Sequence, residues 1–490
     1  LPVPELTTGT GGAVMINPIS RRTRITGRSR LLAALLVTVA LLSAVGCAGQ
    51  RGADPNAAAT EVQGETELQT SSFGDLASPC GPGDASGATQ QGVTDTSITI
   101  GYGDDAGYQG APGLNHEMSD AMKAMIAWCN DQGGINGRRV VGNYYDAKVL
   151  EASNAVQEAC TQVFMLVGQG YALDGSSEPA RLNCSLATVP GFTSNSEFAM
   201  APLMVQPNPN PTDFNIVQQA AALARAFPSQ VKKAAVVYSS LPSTIDATEK
   251  MLGTYTSQGF EFLDACRQTY AIQGEADWKP IALRLKECGA EMVYFSGTPI
   301  PHFENLLDAS HQVDYDPIWF SETNFATPQL ADWNVSGLGD QLYVRMTYTP
   351  LEQADVNPAT QQYIDIVTAA GGDVSLLGAQ STSAFLLWAT GAKACGSSLT
   401  SACVLDELGK VHEWTGGGLH SPSDPGANLP GDCGMVLQLQ GTEYVQWAPE
   451  ERGTFECDPA FMVKVDPPLT STASLQIDAN RVSQKNRVGG

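Results

Sequence analysis

Five histidines, eleven cysteines and a few well-placed acids and hydroxyls are the groups with which this chain could do chemistry. The histidines, His116, His302, His311, His412 and His420, show no HExxH or other metal spacing, so surface or capping roles are expected and no metal site. There is no GxSxG elbow and no phosphate-binding P-loop. The hydroxyl-rich pieces Ser176-Ser177, Thr193-Ser194 and Ser239-Ser240 have no base or orienting acid nearby in sequence. They do follow apolar runs that read as strands, and open α/β sheets bind ligands at such ends; turns and caps are the plainer use. Glu322 follows Ile318-Trp319-Phe320 in the same way. A carboxylate there can meet a ligand ammonium, or simply cap a helix. Gly101-Tyr102-Gly103-Asp104-Asp105-Ala106-Gly107 also follows a strand signal, but the next helical stripe begins nearly ten residues on. That is too far for a helix N-terminus to cradle a pyrophosphate, so a ligand-facing loop is expected and no cofactor.

Cys47 stands apart from the other cysteines. Five arginines within 21–30 precede the low-polarity run 31–46, which ends in Ala44-Val45-Gly46-Cys47. A cationic segment followed by an apolar run is an export signal, and this run is shorter than the roughly 20 residues needed to span a bilayer. Its end resembles the bacterial lipobox, in which the cysteine receives a lipid, and Met15 reads as the start. The expectation is an exported chain held on the outer face of the cytoplasmic membrane through Cys47. The other ten cysteines suit an oxidising compartment. Loop-closing distances suggest Cys395 with Cys403, Cys433 with Cys457, Cys266 with Cys288 and Cys160 with Cys184, leaving Cys80 with Cys129. Sequence alone does not fix that connectivity.

The elements that must position these groups belong to a chain of 490 residues, more than one ordinary core. With 27 basic against 51 acidic residues the formal charge is −24, and no basic cluster follows residue 46. Such a surface repels phosphate backbones, which excludes nucleic acid as a partner. Residues 48–94 are rich in small and polar types and read as a flexible tether, with Cys80 pinning its far end; 466–490 reads as a polar tail. Between them strand and helix signals alternate: a strand at 98–100, a helix at 116–130 with Met118, Met122, Met125 and Cys129 on one stripe, then a strand at 139–145. A helix at 150–161 leads to 163–167, and another precedes 186–189. The pattern restarts at 234–238 and continues through helix 245–258, strand 260–263, helix 279–288, strand 292–295, helix 302–312 and strand 318–320. Apolar strands alternating with helices predict parallel sheets covered on both faces. Pro207, Pro209 and Pro211 mark a linker between the two runs. Helices at 358–370 and 379–394 and a β-rich stretch at 432–464 follow, late elements that must complete sheets begun earlier.

Trp128-Cys129-Asn130-Asp131-Gln132-Gly133-Gly134-Ile135-Asn136-Gly137-Arg138 resembles the "GGINGR" junction of type I periplasmic binding proteins, the branched-chain amino-acid and amide group serving ABC importers. Tyr144-Tyr145-Asp146, Val167-Gly168, Thr188-Val189-Pro190, Ala235–Tyr238, Val293–Gly297 and Trp319–Glu322 follow in that family's order, over about 96–464. The resemblance implies two doubly wound α/β lobes joined by three crossings, near 207–211, 347–349 and 417–420. The expected layout is a leader at 1–46, a tether at 47–95, a first lobe from 96–207 and 348–417, a second from 208–347 and 418–465, and a tail at 466–490. It implies no enzyme but a monomeric trap for a small polar solute, delivered to a permease. Ligand contacts are expected from Gln169, Gly170, Tyr171 and Ala172, from Gly191, Phe192 and Thr193, and from Tyr238, Ser243, Thr298 and Glu322. Thr193 matches a hydroxyl that holds ligand carboxylate, and Glu322 an acid that takes the ammonium. Ala172 stands where amino-acid binders supply a hydroxyl, and Leu114, Ser243 and Thr298 where they present tyrosines, so a ligand of different shape is in view. A ligand-sensing receptor of the same fold and an exported α/β hydrolase are the competing readings.

Overall fold

Ser97–Asp104 (β1) buries Ile98, Ile100 and Tyr102, and in the computed structural model, which describes residues 71–465, it is an inner strand of the first sheet. His116–Asp131 (α1), Arg139–Asp146 (β2), Ala152–Ala159 (α2), Leu166–Val167 (β3), Glu178–Asn183 (α3), Thr188–Val189 (β4) and Ser196–Ala199 (α4) follow. The four strands are all parallel, in the order β2-β1-β3-β4.

Phe214–Ile216 (β5) and Gln218–Ala226 (α5) lead into the second sheet. It is built on Ala234–Ser239 (β6), Pro242–Ser257 (α6), Gln268–Tyr270 (β7), Lys279–Glu287 (α7), Met292–Ser296 (β8), Glu304–Gln312 (α8), Ile318–Ser321 (β9), Pro328–Trp333 (α9) and Leu342–Met346 (β10). Every residue of β6 and β8 is buried, as expected of parallel strands covered on both faces. Pro358–Ala369 (α10), Leu376–Cys395 (α11) and Ser401–Leu408 (α12) then return to the first lobe. Fifteen of the residues of α11 are buried, because it lies between α1, α10, α12 and the strand ends of β3 and β4. Cys433–Gln440 (β11) and Glu443–Ala448 (β12) extend the second sheet antiparallel, giving the order β12-β11-β10-β9-β8-β6-β7. Glu456–Cys457 (β13) pairs with β11, and Met462–Lys464 (β14) with β5. The fold is thus two α/β lobes, the first all parallel and the second mostly so.

The chain passes between the lobes three times, and the three passages touch. Tyr348 bridges His420, Thr349 N–H donates to Leu419, and Ser421 N–H donates to Thr347. Asn208 Nδ2 donates to Thr347 Oγ1 at 2.8 Å, and Ser423 Oγ to the Pro207 carbonyl at 2.7 Å. The His420 ring is held from both sides, by Ser383 Oγ at 2.9 Å and the Ser421 carbonyl at 2.8 Å. Burial lowers its pKa to about 4.

Several expectations change. The strand expected at 260–263 makes only a bridge, Phe262 to Ala234; the pairing strand lies later, at β7, after the chain turns through Cys266. Strand β10 is new: Arg345 interrupts its apolar pattern, yet it is central, between β9 and β11. Residues 71–95 are not a free tether. Phe73 and Cys80 are fully buried, Gly81 and Ala85 hydrogen-bond the 134–136 turn, and Asp75 N–H donates to Gly417. Small residues allow this segment to lie flat: a Cβ on Gly83 would stand 2.8 Å from the Asn136 backbone. Disulfides join Cys80–Cys129, Cys160–Cys184, Cys266–Cys288, Cys395–Cys403 and Cys433–Cys457. Cys47, the leader, residues 47–70 and the tail from 466 lie outside the described residues. Among the described residues no helix is long and apolar enough to cross a membrane.

Candidate functional site

The C-terminal ends of parallel strands leave their loops free to face a partner. Here the loops of both sheets face one another across a cavity of about 590 Å³. The first-lobe loops are set by buried acids. Asp105 accepts from the backbone N–H groups of Val149 and Ala172, both at 2.7 Å, and burial raises its pKa to about 6. Asp174 accepts from Gly175, Ser194 and Asn195 N–H at 2.6–2.8 Å, and burial raises it to about 8. These two carboxyls shape the loops that bring Ala172 and residues 191–194 to the cavity wall. Gly191 packs closely there: a Cβ would stand 2.6 Å from the Met118 methyl, which would have to move aside.

Of the residues singled out in the sequence, Ala172, Gly191, Phe192, Thr193, Ser243, Thr298 and Glu322 line the cavity. Gln169, Gly170, Tyr171 and Tyr238 lie behind its wall. Gln169 Nε2 donates to Thr188 Oγ1 at 2.5 Å, Tyr171 Oη donates to the Tyr145 carbonyl at 3.3 Å, and Gly170 is packed by Phe192 and Met118. Tyr238 accepts from Arg267 Nε at 3.1 Å under that guanidinium. Thr193 Oγ1 donates to Gln206 Oε1 at 3.0 Å. Glu322 has both oxygens engaged: Oε2 lies 2.5 Å from Arg345 Nη2, and Tyr294 Oη donates to Oε1 at 3.3 Å.

The charged floor of the cavity was not anticipated. Lys250 of α6 and Arg345 of β10 both line it, beside Glu322. Lys250 is buried and Nζ donates to Asn210 Oδ1 at 2.6 Å; Arg345 Nη1 donates to Asn215 Oδ1 at 2.9 Å. Burial, then the Arg345 charge, pull the Lys250 pKa from 10.5 down to about 7, against Glu322 and Asp213. Arg345 Nε and Gln206 Nε2 are buried and meet no acceptor from the protein. A signal for both cations was present: Lys250 sits on the inward stripe of α6 with Ser243, Asp246 and Thr254, and Arg345 breaks an apolar strand.

The lobes also touch at the rim. Asp246 of α6 accepts from Ser196 and Asn195 of the first lobe. Near the mouth His116, Asp120 and Asp373 place potential ligand atoms within 4.8 Å of one another, but His116 Nε2 already bonds Asp373 at 2.9 Å and Asp120 pairs with Lys123. No nucleophile in the cavity is paired with a base, so the arrangement of the described lining residues suits binding.

Residues 97–443 match the model of the family described as periplasmic binding protein. No curated protein sequence matches the chain. Among solved structures, the fatty acid ABC transporter substrate-binding protein from Thermomonospora curvata aligns at 14% identity, over 75% of this chain and 95% of its own, with a TM-score of 0.60. The branched-chain amino acid transporter substrate-binding protein LivJ from Streptococcus pneumoniae, in complex with isoleucine, aligns at 13% identity, over 75% and 100%, with a TM-score of 0.59. A solute-binding protein of an ABC transporter from R. palustris, in complex with 4-hydroxybenzoate, aligns at 15% identity, over 76% and 98%, with a TM-score of 0.57.

Proposed function

The chain belongs to the periplasmic binding protein family, and on that premise we propose that it is the solute-binding component of an ABC importer, anchored outside the membrane by a lipid on Cys47. The observation that carries the reading is the cavity itself. It is lined from both lobes, it holds buried polar groups, and three touching passages form a ready hinge behind it. Closure of such lobes excludes water and presents one composite surface to a permease. Neither a nucleophile nor a cofactor is required. The residues proposed to touch the solute are Ala172, Gly191, Phe192 and Thr193 from the first lobe, with Ser243, Thr298 and Glu322 from the second. Gln169, Gly170, Tyr171 and Tyr238 would act from behind, by holding those loops in place.

Proteins of this fold carry isoleucine or 4-hydroxybenzoate, and one is a fatty acid ABC transporter substrate-binding protein, so a carboxylate-bearing solute is the first class to try. The test is thermal-shift screening of the purified protein against amino acids, amides, aromatic acids, fatty acids and polyamines. A true solute raises the melting temperature by mass action, by about 2.7 kcal/mol of stabilisation at one hundred times Kd. Silence across the whole library, with protein shown to be folded, would remove the capture reading.

A further inference from the structure

The floor of the cavity has a surplus of donors. Glu322, the acid that could have received a ligand ammonium, is neutralised by Arg345 and capped by Tyr294. That leaves Lys250 as the second cation of the floor, its ammonium donating to the neutral Asn210 oxygen at 2.6 Å. Asp213 lends negative potential to Lys250 but is not among the residues lining the cavity. Arg345 Nε and Gln206 Nε2 add two buried N–H donors that the protein does not satisfy. The Gln206 amide cannot turn to change this without losing bonds, because its oxygen already accepts from Thr193 Oγ1 at 3.0 Å and Asn210 N–H at 3.3 Å. A buried donor without an acceptor costs free energy, and a buried cation more so. An anion beside Lys250 and Arg345 offsets the positive charge of the floor; an ammonium would add a charge of the wrong sign.

The rest of the wall mixes hydroxyls and amides, such as Ser243, Thr298 and Gln380, with a set of apolar side chains. Leu114, Ala172, Phe192 and Leu377 face the cavity from the first lobe, and Ile272 and Ile300 from the second. The acid on that side, Glu117, stands 3.6 Å from His116 Nδ1, and burial pushes its pKa up, so it offers little as a free carboxylate.

We infer that the solute is an apolar acid without an ammonium group, whose carboxylate is received by Lys250 and Arg345 of the second lobe. The inference rests on the capture reading above and names its solute class. It reverses the polarity implied by the sequence resemblance, in which the first lobe holds the carboxylate and Glu322 an ammonium.

Calorimetric titration tests it with 4-methylpentanoate, phenylacetate, benzoate and octanoate, each beside its primary amide and the amine of matching carbon skeleton, and with leucine and phenylalanine. The expected ranking has at least one acid binding about tenfold or more tightly than its amide, as charge-assisted hydrogen bonds require, with the amine weakest. Arg345→Gln and Lys250→Met should each weaken that acid about tenfold or more and erase its advantage over the amide. The ranking in the wild-type protein needs no variant, so a variant that fails to fold leaves the test intact. Tighter binding of leucine, of an amide or of an amine overturns the inference, and so does acid binding that is unchanged in both folded variants. In those outcomes solute capture itself survives. If no compound of any class binds, both readings fall together.

Discussion

The two most instructive side chains are arginines, one in each lobe, the first fully buried and the second half-buried on a cavity wall. Arg181 of α3 is fully buried and completely answered: Nε and Nη2 grip Glu178 at 2.6 and 2.7 Å, and the remaining N–H groups reach the carbonyls of Leu186, Pro202 and Leu203. Arg345 also has a carboxylate and an amide partner, but Nε goes without an acceptor and a second cation, Lys250, lies close enough to be destabilised by it. The first arginine ties the segments before β4 and after α4 to α3, so its chemistry is used up within the lobe. The second is left incomplete on the wall of a cavity. A satisfied buried charge is architecture; an unsatisfied one on a cavity wall is evidence about what the cavity holds.

The largest expected effect tests the architectural half of that contrast. Arg181→Ala leaves Glu178 buried without a counter-charge and should cost about 3–5 kcal/mol in urea unfolding. Arg345→Met leaves Glu322 beside Tyr294 on a hydrated wall and should cost only about 1 kcal/mol. Equal losses would mean that Arg345 is structural too, and the contrast would break.

Much of this arrangement could be read from the chain, and the parts that could not have a physical reason. The alternation of short apolar runs with helical stripes gave the parallel sheets, since strands buried on both faces have no polar side to hide. Strand β10 escaped because its alternation is broken by Arg345, the very residue that makes it informative. Sequence position also placed Tyr171 and Tyr238 near the strand ends without saying whether their rings face the cavity or the layer beneath; the pleat decides that, and one residue of register reverses it. Residues 71–95 look like a linker by composition, yet their glycines are what permit close backbone contact with the 134–137 turn. Lys250 lies on the buried stripe of α6, where a lysine is normally a surface residue.

A middle-sized effect sharpens the comparison through pH. Lys250 titrates near 7 in the unliganded protein, with Arg345 opposing its charge and Glu322 and Asp213 favouring it. Bound carboxylate raises that value, so binding takes up a proton. The ammonium form binds, and affinity is therefore fully present below pH 7 and declines above it, until the pKa of the complex is reached. Affinity for the strongest acid should be about tenfold weaker at pH 8 than at pH 6, the ratio of ammonium populations for a group titrating at 7. Titration in buffers of different ionisation enthalpy should show proton uptake near neutrality. A flat profile would mean that Lys250 stays charged throughout, or stands too far from the solute.

The smallest effect separates function from stability at the same residue. Holding a lysine where its pKa falls from 10.5 to about 7 means that the unfolded chain binds the proton better across that interval. Stability contributed by this site therefore rises with pH between those values, and the burden is greatest below pH 7. Lys250→Met removes the buried charge while keeping an unbranched apolar side chain beside Met251, Ala247 and Thr254. The unliganded variant should melt a few degrees higher than the wild type at pH 6.5, a gain of about 1 kcal/mol after the lost Asn210 hydrogen bond is counted. The difference should shrink toward pH 10.5, where the wild-type lysine is neutral in both states or nearly so. A variant that melts lower at pH 6.5 would show Lys250 to be a partner in the fold like Arg181, with its ammonium fully compensated before any solute arrives.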